Sequence, residues 1–89
     1  MTVVRIPPTL RAEVGGERQI EASGDDVRAV LEDLSERYPS LGRHLFEAGE
    51  LAPFVNVYVG GEDVRTLDGL ETRVNGASVI LLPAMAGGS

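Results

Sequence analysis

Few side chains in this sequence can do acid–base or nucleophilic chemistry. His44 is the one histidine, cysteine is absent, and all eight basic residues are arginine. A lone histidine with no thiol partner completes neither a cysteine–histidine pair nor a multi-histidine metal site. The carboxylates Glu32, Asp33 and Glu36 fall on the polar side of a helical stretch, and Glu62 and Asp63 follow a Gly60-Gly61 turn. A solvated face and turn chemistry account for these acids. Neither Gly15-Gly16 nor Gly60-Gly61 leads into a helix and a lysine, so neither reads as a phosphate loop. The chain is therefore expected not to be an enzyme in its own right, with no metal and no bound cofactor.

The remaining reactive group lies in the last stretch, LLPAMAGGS. Pro83 is expected to release the chain from a final strand, and Ala84, Met85, Ala86, Gly87 and Gly88 follow it, all small apart from Met85. Six extended residues from Pro83 to Gly88 reach about 20 Å, at roughly 3.3–3.6 Å each. Glycine has no Cβ to clash with a narrow channel and accepts any backbone conformation. Such a thread can enter the active site of another protein and present a carboxylate there. Ser89, however, makes the Gly88 carboxyl a peptide carbonyl. Ser89 is then either trimmed from a precursor or a cloning remnant.

A folded body must hold this thread. Val3, Val4 and Ile6 mark a first strand (2–7), Gly15-Gly16 a turn, and 18–22 a second strand that completes a hairpin. Val27, Val30, Leu31, Leu34 and Tyr38 recur at helical spacing, with Ser23 as the expected N-cap, Asp25 and Asp26 at the positive end of the dipole, and Pro39 as the stop. A short helical turn is expected around Leu41–Phe46. FVNVYVG (54–60) reads as a strong strand that turns at Gly60-Gly61 so that 62–65 pair back, and SVILL (78–82) as a last buried strand. The class is α+β: a mixed sheet of four to five strands with one main helix. If the first and last strands lie parallel at its centre, with the helix inside a right-handed connection, the arrangement is a ubiquitin-like β-grasp. Residues 1–82 form the domain and 83–89 a flexible C-terminal tail.

Composition agrees with one small domain. The chain is 43% hydrophobic, which suits a core and not a disordered segment. No apolar run approaches the roughly 18 residues of a membrane span, and no signal peptide is evident, so a cytoplasmic location is expected and no membrane partner. The net charge of −6 repels phosphate backbones, which argues against nucleic acid as a partner. Without lysine, the chain has no side-chain amine to be acylated.

Four pieces in order point further. They are VN-YV (Val55, Asn56, Tyr58, Val59), EDVR (62–65), DGLET (68–72) and LPA-AGG (Leu82–Ala84, Ala86–Gly88). In this order, the chain resembles the bacterial sulfur carrier proteins of the ubiquitin fold. These comprise the molybdopterin synthase small subunit, the thiamine-pathway carrier and the carrier of cysteine biosynthesis. ILLPAMAGG and FVNVYV are most similar to the last. The resemblance implies that a partner adenylyltransferase of the ubiquitin-activating type uses ATP to adenylate Gly88. A sulfur donor then displaces AMP to leave a thiocarboxylate, and a sulfur-accepting synthase consumes it. It also implies a metallopeptidase that removes Ser89. The alternatives are the molybdopterin synthase small subunit, or a ubiquitin-like protein modifier in which an amine attacks the same activated terminus.

Strand alternation gives a docking surface for those partners. With Val79 and Leu81 facing the helix, Ile80 and Leu82 face outward, and Phe54, Asn56 and Tyr58 share that outer face. The alternative is that loop 41–53 packs over these residues.

Overall fold

The computed structural model describes residues 1–83. Five strands form one sheet in the order β2-β1-β7-β5-β6: β1 (Thr2–Arg5), β2 (Gln19–Ala22), β5 (Val55–Val59), β6 (Glu62–Asp63) and β7 (Val79–Pro83). The strands β3 (Phe46–Glu47) and β4 (Glu50–Leu51) form a separate small hairpin. The terminal strands β1 and β7 pair in parallel at the centre, and every other pairing is antiparallel. This is the β-grasp arrangement.

The long helix α1 (Val27–Arg37) buries Val27, Val30, Leu31 and Leu34 completely against the sheet, which is the stripe the periodicity marks. Its N-cap is Asp26 and not Ser23. The Asp26 Oδ1 accepts a hydrogen bond from the Ala29 amide at 2.9 Å, while the Ser23 amide donates to Asp33 Oδ2 at 3.0 Å. The helix starts at Val27 because the preceding residues are bound elsewhere. The Val27 amide donates to the Thr72 carbonyl, and the Val74 amide to the Asp25 carbonyl.

Pro39 stops α1 and also starts a second helix, α2 (Pro39–Leu45), where proline occupies the first position. The short turn expected around Leu41–Phe46 is thus a seven-residue helix that ends before Phe46. Its Leu41 and Leu45 are fully buried. The two helices meet at Gly42, where an added Cβ would lie 2.7 Å from both Cβ and Oγ of Ser35. Ser35 cannot swing away freely, because its hydroxyl donates to the Leu31 carbonyl at 2.8 Å. Gly42→Ala is expected to lower stability by about 1–3 kcal/mol through overpacking. Urea unfolding of the two chains checks this, and an unchanged midpoint would show that the helices part without cost.

The N-terminal hairpin is looser than its two-glycine turn implies. A 3₁₀ segment, Pro8–Val14, separates β1 from the turn and buries Leu10 and Val14. By contrast, Gly60 (φ 58) and Gly61 (φ 88) form the tight two-residue link between β5 and β6 that their φ freedom permits. Only Glu62 and Asp63 of the expected 62–65 strand pair back. Asp63 Oδ1 then accepts from the Arg65 amide at 2.8 Å and turns the chain into a 3₁₀ segment, Val64–Thr66.

The last strand runs through Pro83, which lies opposite Val55, instead of ending before the proline. β1 pairs with β7 only as far as Ile80. Past that point β7 has no neighbour on that side, so a residue without an N–H disturbs no ladder there.

Candidate functional site

The end of β7 at Pro83 defines the site, because the residues that lead to Gly88 follow it in the sequence. Register decides which side chains surround it. Tyr58 lies opposite Ile80 and Asn56 opposite Leu82, so these four residues share one sheet face. Val57 with Leu81 and Val59 with Val79 form the opposite, buried face under the helix. On the other flank, the parallel pairing sets Arg5 beside Ile80.

Among the described residues the exposed large apolar side chains are Met1, Phe54, Leu67 and Leu82. Two of the four, Phe54 at 65% and Leu82 at 42% exposed, belong to the expected docking surface. Tyr58 and Ile80 are half-buried on the outer face. Phe54 precedes β5 and lines a different depression, of about 170 Å³, with Pro83, Arg43 and His44. The structure thus gathers Tyr58, Ile80 and Leu82, and sets Phe54 at the far side of the β7 exit. Within segment 41–53, α2 buries its leucines beside α1, while Arg43, His44, Glu47 and Ala52 line the depression that holds Phe54.

Arg65 braces this surface. Its guanidinium donates to Asn56 Oδ1 at 2.9 Å and to the Ala52 carbonyl at 2.8 Å, which ties the approach to β5 down beside the outer face. The EDVR stretch therefore shapes the fold, since Asp63 sets the turn and Arg65 spans it. DGLET acts similarly. Thr72 is buried, its hydroxyl accepts from the Asp68 amide at 3.1 Å, and its carbonyl receives the first amide of α1.

The side chains with catalytic potential lie apart. His44 is about half exposed, and its Nε2 lies 3.8 Å from Glu13 Oε2. Asp33 pairs with Arg37 on the surface of α1. Among the described residues, no three His, Cys, Asp or Glu side chains group closely enough to hold a metal ion. No helix among them is long and apolar enough to cross a membrane. Ala84, Met85, Ala86, Gly87, Gly88 and Ser89 lie outside the described residues.

One feature of the site is not evident from the sequence. A groove of about 620 Å³ opens beside Ile80 and Leu82 and is lined by Arg5, Arg11 and Arg18. Strand alternation could have placed Arg5 on the outer face. Nothing in the spacing brings Arg11 and Arg18 to it, because the 3₁₀ segment between β1 and β2 sets their positions.

Residues 4–88 match the model of the ThiS family. The chain belongs to this family. As a ThiS-family member it is 45% identical over 89 residues to the sulfur carrier protein CysO of Mycobacterium tuberculosis, covering 96% of each chain. It is 40% identical over 80 residues to the small archaeal modifier protein 3 of Haloferax volcanii, covering 85% of this chain and 87% of that one. Its fold superposes with a TM-score of 0.90 and 40% identity on a chain of the Amycolatopsis orientalis BexX/CysO complex, covering 98% of this chain and 99% of that one. The ubiquitin-like β-grasp, with its parallel β1–β7 centre, is the shared fold.

Proposed function

We propose that this ThiS-family chain is a sulfur carrier protein that serves cysteine biosynthesis, and that it is a protein co-substrate whose partners supply the catalysis. The 45% identity to CysO over nearly the whole of both chains is the observation that carries this reading. The likeness to a small archaeal modifier protein keeps the modifier as a second reading, at lower identity and coverage. A cytoplasmic location suits both.

The chemistry follows from what a carboxylate lacks. It is anionic, and its leaving group would be oxide, so it resists nucleophiles. A Gly88 carboxylate oxygen attacks the α-phosphorus of ATP, held by a partner adenylyltransferase, and pyrophosphate leaves. A sulfide-level donor then attacks the acyl carbon, AMP leaves with the bonding pair, and a thiocarboxylate remains. Its sulfur is nucleophilic enough to pass to the substrate of a second enzyme, a sulfur-accepting synthase. The described sheet ends at Pro83, so Ala84 to Gly88 reach at most about 17–18 Å beyond it when extended. The outer face formed by Tyr58, Ile80 and Leu82 is the docking surface, with Phe54 at its margin. The reacting carboxyl is thereby delivered within that reach of the docked body.

Intact-mass measurement tests the reading. A chain ending at Gly88 is incubated with its adenylyltransferase, ATP and a sulfide source. Its mass is expected to rise by the difference between sulfur and oxygen, in an ATP-dependent manner. An unchanged mass with active enzyme would rule out the carrier. Conjugates to other proteins that survive reduction would favour the modifier.

A further inference from the structure

The groove beside β7 carries a charge opposite to that of the molecule. The chain has fourteen carboxylate residues against eight arginines, yet the ten residues lining the groove include three arginines and no Asp or Glu. Arg28 and Arg37 are engaged with Glu71 and Asp33. Arg5, Arg11 and Arg18 form no ion pair with another described residue. Arg11 is nevertheless held in place, since its Nε donates to the Ile6 carbonyl at 3.1 Å and its two terminal nitrogens remain for other acceptors. Arg5 and Arg18 are exposed. The wall between the guanidinium groups is apolar, made of Pro8, Ile80 and the 42% exposed Leu82.

Resting on the carrier reading above, we infer that this groove receives a short acidic segment of the activating partner, with Asp or Glu carboxylates interleaved with aliphatic residues. Carboxylates match the forked guanidinium donors, and aliphatic side chains cover Ile80 and Leu82. Charge complementarity favours a short segment over a nucleic acid. A long polyanion would extend beyond the groove onto a surface whose net charge is −6, whereas a short acidic segment meets the three arginines alone. A free phosphate would leave the apolar wall uncovered. The groove abuts Leu82, one residue before the end of β7, so a segment seated there orients the C-terminal thread toward the partner's nucleotide site. The arginines thereby act as a register mark and an electrostatic guide.

Association kinetics with the adenylyltransferase test this, using the chain ending at Gly88 and the variants R18E, R5E/R18E and R73E. Arg73 is also exposed and lies in a depression with Met1, Thr2 and Gly24, so R73E matches R18E in charge without touching the groove. At low salt, R5E/R18E is expected to associate about tenfold more slowly or worse, R18E to fall between, and R73E to stay near the parent. The gap is expected to close at high salt. Thermal melts of each variant check folding. R5E/R18E behaving like R73E, or binding of single-stranded DNA being more sensitive to R5E/R18E than enzyme binding, would overturn the inference. Sulfur uptake separates the two claims. Uptake with R5E/R18E indistinguishable from R73E removes the groove and leaves the carrier. Salt-dependent, groove-dependent association with no uptake removes the carrier and leaves the groove.

Discussion

Adenylation of the chain that ends at Ser89 is expected to be undetectable, and removal of that one residue is expected to switch it on. The reason is covalent. With Ser89 attached, Gly88 contributes an amide carbonyl whose neighbouring nitrogen lone pair is delocalised into it and which carries no ionised oxygen. The enzyme would have to hydrolyse the peptide bond before any acyl-adenylate could form. Without Ser89, the same carbon bears a carboxylate, and attack on the α-phosphorus proceeds with pyrophosphate as leaving group. The effect is all-or-none, far larger than any loss from weakened docking. ATP–pyrophosphate exchange measured on both chains reads the first step alone, without a sulfur donor. Equal exchange would show that free Gly88 is not the reactive end. Replacing Ser89 by alanine provides the control: an amide remains, so exchange stays absent whatever the side chain.

Leu81→Ala is expected to lower stability by about 2–5 kcal/mol, while Leu82→Ala leaves stability nearly unchanged. These adjacent residues share one strand and one side-chain type, and differ in which face they occupy. Leu81 is 1% exposed, and it lies opposite Val57 in the core beneath α1. Its truncation removes buried methyl groups and leaves a cavity between packed elements. Leu82 is 42% exposed, opposite Asn56. A domain of 89 residues has about 4–13 kcal/mol in all, so the first change takes a large share of it. Leu82→Ala is expected to act on partner association instead. Guanidinium unfolding of both variants checks the first claim, and binding to the adenylyltransferase the second. Equal destabilisation by the two substitutions would contradict the register of β5 on β7.

Much of this was legible because the signals are local. The stripe of Val27, Val30, Leu31 and Leu34 belongs to one helix, and alternation along 79–82 sorts that strand into two faces without reference to the rest of the chain. Less legible were elements whose form depends on a distant partner. Ser23 and Asp26 are both competent caps. The choice fell to Asp26 because Asp25 and Val27 are bound to Val74 and Thr72, almost fifty residues along the chain. The 62–65 strand stops after two residues because Arg65 is drawn to Asn56 and the Ala52 carbonyl. The β3–β4 hairpin carries only two residues per strand, and its turn uses Ala48 at φ 54, a conformation that composition does not announce.

The sequence by itself determined the class of fold, the order of the main elements and the motif pieces that mark the family. Each of these is written in spacing or in residue identity. Only the tertiary structure decided what the outer face of the sheet contains. Phe54 precedes Val55 and Leu82 precedes Pro83, the partner of Val55 in register, yet the two line different depressions, and Arg5 of β1, Arg11 of the 3₁₀ segment and Arg18 beyond the Gly15-Gly16 turn meet in one groove. The physical reason is that a surface is assembled across elements. Periodicity tells which way a side chain points from its own strand, but register and loop path tell which neighbours it meets.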